Sequence, residues 1–212
     1  MMHQARAFLA QADLTDLAAI ERFVLQQKPD DGPVWVFGYG SLIWNPEMAV
    51  VEDQAASLAH YRREMCIKAT VHRGSPERPG LVLGIRHQPG GSCEGHAFRL
   101  DAEQLQSSLH RLIERELVTD CYIPLWLSID LSDGRSVAAL TMVVNEGHPQ
   151  VVQPSLDDKV EMIRYATGGR GSSREYLLNM ARHLEENNIR DAEIETLVLR
   201  LESQSEQDNS GK

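Results

Sequence analysis

Val36-Phe-Gly-Tyr-Gly-Ser-Leu-Ile-Trp-Asn-Pro46 decides how the chain is read. It begins inside a continuous apolar run, Val34-Trp-Val-Phe37, which Lys28-Pro-Asp-Asp-Gly-Pro33 bounds upstream in the manner of a short buried strand. Two glycines flanking an aromatic at the end of that strand permit a tight turn and let a ligand approach backbone N–H groups. A glycine-rich turn with no ligand fits the same residues. A dinucleotide fingerprint would need a third glycine where Ile43 stands, and the G-x-S-x-G elbow of hydrolases does not fit Gly40-Ser41.

Upstream, Leu14, Leu17, Ile20, Phe23 and Val24 recur at helical spacing with Asp13 placed to cap them. They predict an amphipathic helix over 14–26, within a helical extension at about residues 12–27. Downstream, short strands are predicted over Met65–Val71, Leu81–Arg86 and Glu94–Leu100, separated by Gly74–Gly80 and Pro89-Gly-Gly91. A helix over Ala102–Val118 precedes two further strands, Tyr122–Leu131 and Val137–Asn145, joined at Ser132-Asp-Gly134. Three helices follow, Leu156–Ala166, Ser173–Leu184 and Asp191–Leu201, the second opened by the capping-box spacing of Ser172-Ser-Arg-Glu175. The expected organisation is one α+β domain over 1–201 and a polar, disordered tail over 202–212.

The 212 residues carry 21 Lys+Arg against 31 Asp+Glu, a formal net charge of −10, with 42% hydrophobic residues. A chain of this length buries about 70% of its unfolded surface and needs neither disulfides nor a structural metal to hold a core. Its acidity argues against nonspecific binding to nucleic acid or anionic membranes, both of which rely on a basic face. A small-molecule partner is expected, on a monomer or weak dimer. No run approaches the roughly 18 apolar residues of a spanning helix, and Arg6 and Gln11 interrupt the one short apolar run near the start, so a cytoplasmic protein is expected.

Cys66, Cys93 and Cys121 match no CxxC or zinc spacing and read as small hydrophobes in or near the core. The eight histidines form no H-x-H or H-x-x-x-H pair, so no metal is expected. Gly168-Gly-Arg-Gly-Ser172 could offer an anion site before a capped helix, although a glycine-rich link needs no ligand and the P-loop lysine is missing.

One carboxylate stands out. At about 100° per residue from Leu105, Leu109 falls at about 40°, Leu112 at about −20° and Glu116 at about 20°, so Glu116 projects from the middle of the apolar face. Glu114 falls at about 180°, on the opposite side. A carboxylate among leucines is costly unless paired, protonated or functional, and desolvation raises its pKa toward that of a general base near neutral pH. A helix that frays before position 116, or pairing with a cation such as Arg99 or Arg111, is the structural alternative.

Taken together, these segments resemble the ChaC family, the glutathione-specific γ-glutamylcyclotransferases. The resemblance rests on 36–46, His60-Tyr-Arg-Arg63, Arg73–Gly84, Gly91-Ser-Cys-Glu-Gly95 with Ala97-Phe-Arg-Leu100, Arg115-Glu116 followed by Tyr122, and Glu175-Tyr-Leu177. It implies a mixed small β-barrel with flanking helices, the γ-glutamylcyclotransferase-like fold. It implies that Gly38, Tyr39, Gly40, Ser41, Leu42 and Ile43 bind the γ-glutamyl part of the substrate and that Glu116 is the catalytic acid/base; Tyr176, near the apolar side of its helix and so more often a core residue, is the candidate phenol donor to the substrate. The reaction so implied, release of 5-oxoproline and cysteinylglycine from glutathione, uses no cofactor. A cyclotransferase for other γ-glutamyl compounds, or a non-catalytic sensor linked to cation transport, would use the same pocket. The chain departs from the family at Thr119-Asp120, Gly168-Gly-Arg-Gly171 and Ser173.

Overall fold

The structure, a computed structural model, describes residues 2–210 and, within the last helix, the side chains only as far as 203. Val34–Phe37 form a strand as their apolar continuity requires: β1 (Trp35–Gly38) is buried at every position. It pairs antiparallel with β3 (Gly80–Leu100), Phe37 opposite Ala97 and Gly38 opposite His96, and parallel with β5 (Ser136–Val144), Val36 opposite Leu140. With β2 (Val50–Ala69) and β4 (Tyr122–Leu131) these strands close a mixed barrel in the order β1-β3-β2-β4-β5. The barrel and flanking helices agree with the fold that the resemblance implies.

Two strands are far longer than their sequences suggest. β2 begins at Val50, where Glu52-Asp-Gln54 hides the alternation, and β3 runs straight through Pro89-Gly-Gly91. Both strands leave regular extended geometry there. His60 adopts a left-handed backbone (φ 65°) facing Gly90 (φ 77°), and the Gly90 amide donates to His60 Nδ1 at 3.3 Å.

By its contacts the chain divides into two compact units, Met1–Arg63 with Gly84–His148 and Glu64–Leu83 with Pro149–Lys212. The first contains α1 (Met2–Leu9), α2 (Leu17–Gln26) and α3 (Leu105–Glu116). α2 starts three residues later than its periodicity predicts. Asp13 serves a preceding turn, accepting from the amide and hydroxyl of Thr15, and Asp16 is the cap, accepting from the Ala19 amide at 3.0 Å. The N-terminal extension packs as part of this unit: Phe8 stacks on Phe23 at 3.9 Å, and Trp126 Nε1 donates to the Val24 carbonyl at 2.8 Å.

The second unit holds α4 (Leu156–Tyr165), the short hairpin β6–β7 (Thr167–Gly168, Gly171–Ser172), α5 (Ser173–Glu186) and α6 (Ala192–Ser210). Ser172 caps α5 as its spacing predicts, accepting from the Glu175 amide at 3.0 Å. The buried Lys159 ammonium joins Glu64 at 3.0 Å and Glu193 at 2.5 Å, tying β2, α4 and α6 with one charge-assisted cluster. The polar stretch from Glu202 begins inside α6, and Gly211 and Lys212 lie outside the described residues.

Candidate active site

β1 delivers the glycine loop. A Cβ at Gly38 would lie 2.8 Å from Phe98 Cε2 and 3.0 Å from Leu42 Cβ, so this glycine serves the packing of β1 on β3. Tyr39 is buried and its hydroxyl donates to the Met142 carbonyl at 2.7 Å, pinning the loop to β5. The buried Arg63 holds the same point from β2, donating from Nε to the Tyr39 carbonyl at 2.7 Å and from its guanidinium to the Glu94 carbonyl. From Gly40 the chain makes a 3-10 turn over Ser41–Ile43, in which Ile43 N donates to Gly40 O at 3.0 Å and the Leu42 side chain is buried. The Ile43 amide is thus used within the turn.

α3 presents the carboxylate. Its apolar stripe, Leu109, Leu112 and Ile113, is buried, while Glu114 faces solvent. Glu116 is the last helical residue, closed by Leu117, whose amide donates to the Ile113 carbonyl at 2.9 Å. Its side chain keeps 17% exposure, enough for a ligand to reach. Desolvation raises its pKa above the ordinary carboxylate value, the Arg115 charge opposes this, and the Glu47 charge adds to it. The unsatisfied carbonyls of a helix C-terminus act in the same direction as burial.

The cation beside Glu116 is Arg115, not Arg99 or Arg111. Arg115 Nε lies 3.1 Å from Glu116 Oε1, whereas Arg99 is engaged by Glu52 at 2.8 Å. Arg115 also reaches the glycine loop, donating from Nη2 to Ser41 Oγ at 2.7 Å and from Nη1 to the Asn45 carbonyl at 2.6 Å, with Glu47 at 3.5 Å. One guanidinium fork therefore fixes the distance between loop and carboxylate. Sequence reasoning noted Arg115 only as the neighbour of Glu116; its place in the Arg-Glu pair was the available signal, but helical spacing does not reveal contact with residues 70 positions away.

Of the expected residues, the structure brings Gly38–Ile43 and Glu116 to one region of the first unit. Tyr176 belongs to the second unit. There its hydroxyl accepts from the Leu83 amide at 3.4 Å and the Arg73 guanidinium sits 5.6 Å from its ring centroid. Gly168, before α5, has a packing reason: a Cβ there would lie 2.6 Å from the Gly74 amide nitrogen.

Residues 34–204 match the family of ChaC-like proteins. The chain is 35% identical over 173 residues to the glutathione-specific γ-glutamylcyclotransferase of Escherichia coli, covering 81% of this chain and 74% of that protein. It is 30% identical over 155 residues to the human glutathione-specific γ-glutamylcyclotransferase 1, covering 72% and 70%. The crystal structure of a yeast γ-glutamyl cyclotransferase specific to glutathione superposes with a TM-score of 0.74 at 20% identity, over 82% of this chain and 97% of that one, which shows a shared fold. On the extent of the family match and the identity to these relatives, the chain belongs to the ChaC-like family.

Proposed function

We propose that the protein is a glutathione-specific γ-glutamylcyclotransferase in which Glu116 is the general acid/base and the Gly38–Ile43 loop holds the γ-glutamyl group. The observation that carries this most is the partly exposed Glu116 carboxylate, raised by burial and tied through Arg115 to Ser41 of the loop.

The reaction is intramolecular. The α-ammonium of the γ-glutamyl group, with a reference pKa of about 7.7–8.0, gives a proton to the Glu116 carboxylate. The freed amine attacks the γ-carbonyl carbon, closing the lactam ring of 5-oxoproline. As the bond to the cysteinyl nitrogen breaks, the Glu116 carboxyl returns the proton to that nitrogen; the same carboxylate then takes the second hydrogen from the ring nitrogen and passes it on, so that the lactam is neutral and cysteinylglycine leaves as its ammonium. No water, protein nucleophile or cofactor enters the balance.

The remaining task is alignment, since well-oriented intramolecular reactions reach effective molarities of about 10⁵–10⁸ M, worth roughly 7–11 kcal/mol of barrier. Ser41 suits that task. Its oxygen accepts from Arg115, which leaves its own hydrogen to donate to a substrate carboxylate or developing oxyanion. The three buried cysteines, none in a disulfide, fit a reducing compartment, and we place the reaction in the cytoplasm.

The test is incubation with reduced glutathione, following 5-oxoproline and cysteinylglycine by NMR, with γ-glutamylalanine as second substrate and Glu116→Gln in parallel. Both products from glutathione with wild type, and a loss of about 10²-fold or more in the variant with binding retained, are expected. Near-normal turnover in Glu116→Gln refutes the assigned base, and turnover of γ-glutamylalanine alone refutes glutathione as substrate.

A further inference from the structure

Cys121 is buried, as its spacing suggested, but its neighbours are polar. It stands immediately before β4, and the Asn145 amide after β5 donates to its carbonyl at 2.8 Å, extending the β4–β5 ladder by one rung. The following turn, in which the His148 amide donates to the Asn145 carbonyl at 2.9 Å, brings the His148 ring back over the sulfur. Cys121 Sγ lies 3.2 Å from His148 Nδ1, and His148 Nε2 lies 3.0 Å from Asp120 Oδ1. The Thr119 hydroxyl donates to the sulfur at 2.9 Å. Asn145 Nδ2 holds the Asp120 carbonyl at 2.9 Å, while Asn145 Oδ1 is buried with no hydrogen-bond partner.

The roles follow from donor chemistry. An ionised Asp120 only accepts, so it fixes a proton on His148 Nε2 and turns the Nδ1 lone pair of the neutral ring toward the sulfur. Nucleophile, base and orienter thus stand in sequence at hydrogen-bond distances, an arrangement that an inert core thiol has no use for. Burial pushes the thiol above its ordinary value, so at rest it is protonated and its reaction needs the base beside it. Cys121 itself is 4% exposed, but the segment leading to it is solvent-facing, with Val118 60% exposed. Opening at 118–119, which leaves Asp120 on His148, would give the route to the sulfur.

We propose that Cys121 is a covalent modification site, a nucleophilic thiol that exchanges with small-molecule disulfides with His148 as base and Asp120 as orienting acceptor. The thiol proton moves to His148 Nδ1, leaving an imidazolium beside Asp120. The Cys121 thiolate attacks one sulfur of the disulfide, the Cys121 S–S bond forms as the original S–S bond breaks, and the departing thiolate takes the proton from His148. Cys121 is oxidised to a mixed disulfide and one sulfur of the reagent's disulfide is reduced to a thiol. The site uses none of the residues assigned to turnover, and its occupancy is read by mass, independent of any activity.

The experiment treats the intact protein with glutathione disulfide near neutral pH and follows the adduct by mass spectrometry with peptide mapping. One adduct is expected, on Cys121, forming about ten-fold or more faster than on Cys66 or Cys93, absent in Cys121→Ser and reversed by dithiothreitol. His148→Gln should slow it by about ten-fold or more, as loss of a positioned base does. Asp120→Asn, which keeps the shape but supplies a donor to Nε2, should slow it as well. Adduct first on Cys66 or Cys93, no adduct short of unfolding, or an unchanged rate in both folded variants overturns the proposal; should either variant fail to fold, site selectivity in wild type decides.

Discussion

Replacing Arg115 by Met separates two effects that this side chain combines. The first is mechanical. The variant loses the bonds to Ser41 Oγ and the Asn45 carbonyl, at 2.7 and 2.6 Å. Ser41 is half-buried and Asn45 exposed, so the released oxygens regain water, and each bond contributes about 0.5–1.5 kcal/mol rather than a full burial penalty. The sum, about 1–3 kcal/mol, lowers the melting temperature by about 2–12 °C at this chain length. A loop freed to move by about 1 Å relative to Glu116 loses about 10²-fold in kcat/KM.

The second effect is electrostatic and has a sign. The Arg115 charge holds the Glu116 pKa down against burial. Without it the pKa rises further, and because the proposed base works deprotonated, the acidic limb of the pH profile of kcat/KM moves to higher pH. Arg115→Lys keeps the charge but not the fork, so its acidic limb should stay near that of wild type while the rate still falls. The assay is 5-oxoproline formation across pH for the three proteins, with thermal melts alongside. An acidic limb that is unmoved or shifted downward in Arg115→Met, or full activity in both variants, refutes the coupling of loop and base through this residue.

Two other substitutions probe separate layers. The folded pKa of Glu116 lies above its unfolded value, so the ionised form costs stability at every pH above the folded value, and the cost fades as pH falls through it toward the unfolded value. Glu116→Gln should therefore melt above wild type at about pH 8, with the gap closing toward about pH 4; a variant that melts lower at pH 8 shows the carboxylate to be net stabilising instead. Ser173 is fully buried and its hydroxyl donates to the Leu81 carbonyl at 2.9 Å while accepting from the Leu81 amide at 3.0 Å, so Ser173→Ala should cost about 1–3 kcal/mol and about 2–12 °C. A melting curve that superposes on wild type would show these Leu81 groups to be satisfied by other means.

What was legible in the sequence was whatever a local period could carry. The continuous apolar run at Val34–Phe37 had one buried solution, β1, and Glu116 stood out because 3.6-residue spacing set it on the stripe of Leu109 and Leu112. β2 and β3 were cut short for the converse reason: Pro89-Gly-Gly91 has the composition of a break, yet β3 continues through it opposite the left-handed His60. Arg115 and the Cys121–His148 contact failed for a third reason, since their meaning lies in partners that the barrel brings from a distance. Spacing alone made Cys121 one of three unpaired thiols; the register of β4 on β5, Tyr122 opposite Val144, sets it beside a histidine 27 residues away. Long-range register is the quantity that neither composition nor periodicity encodes, and on the proposals above it turns Arg115 and Cys121 from ordinary positions into functional ones.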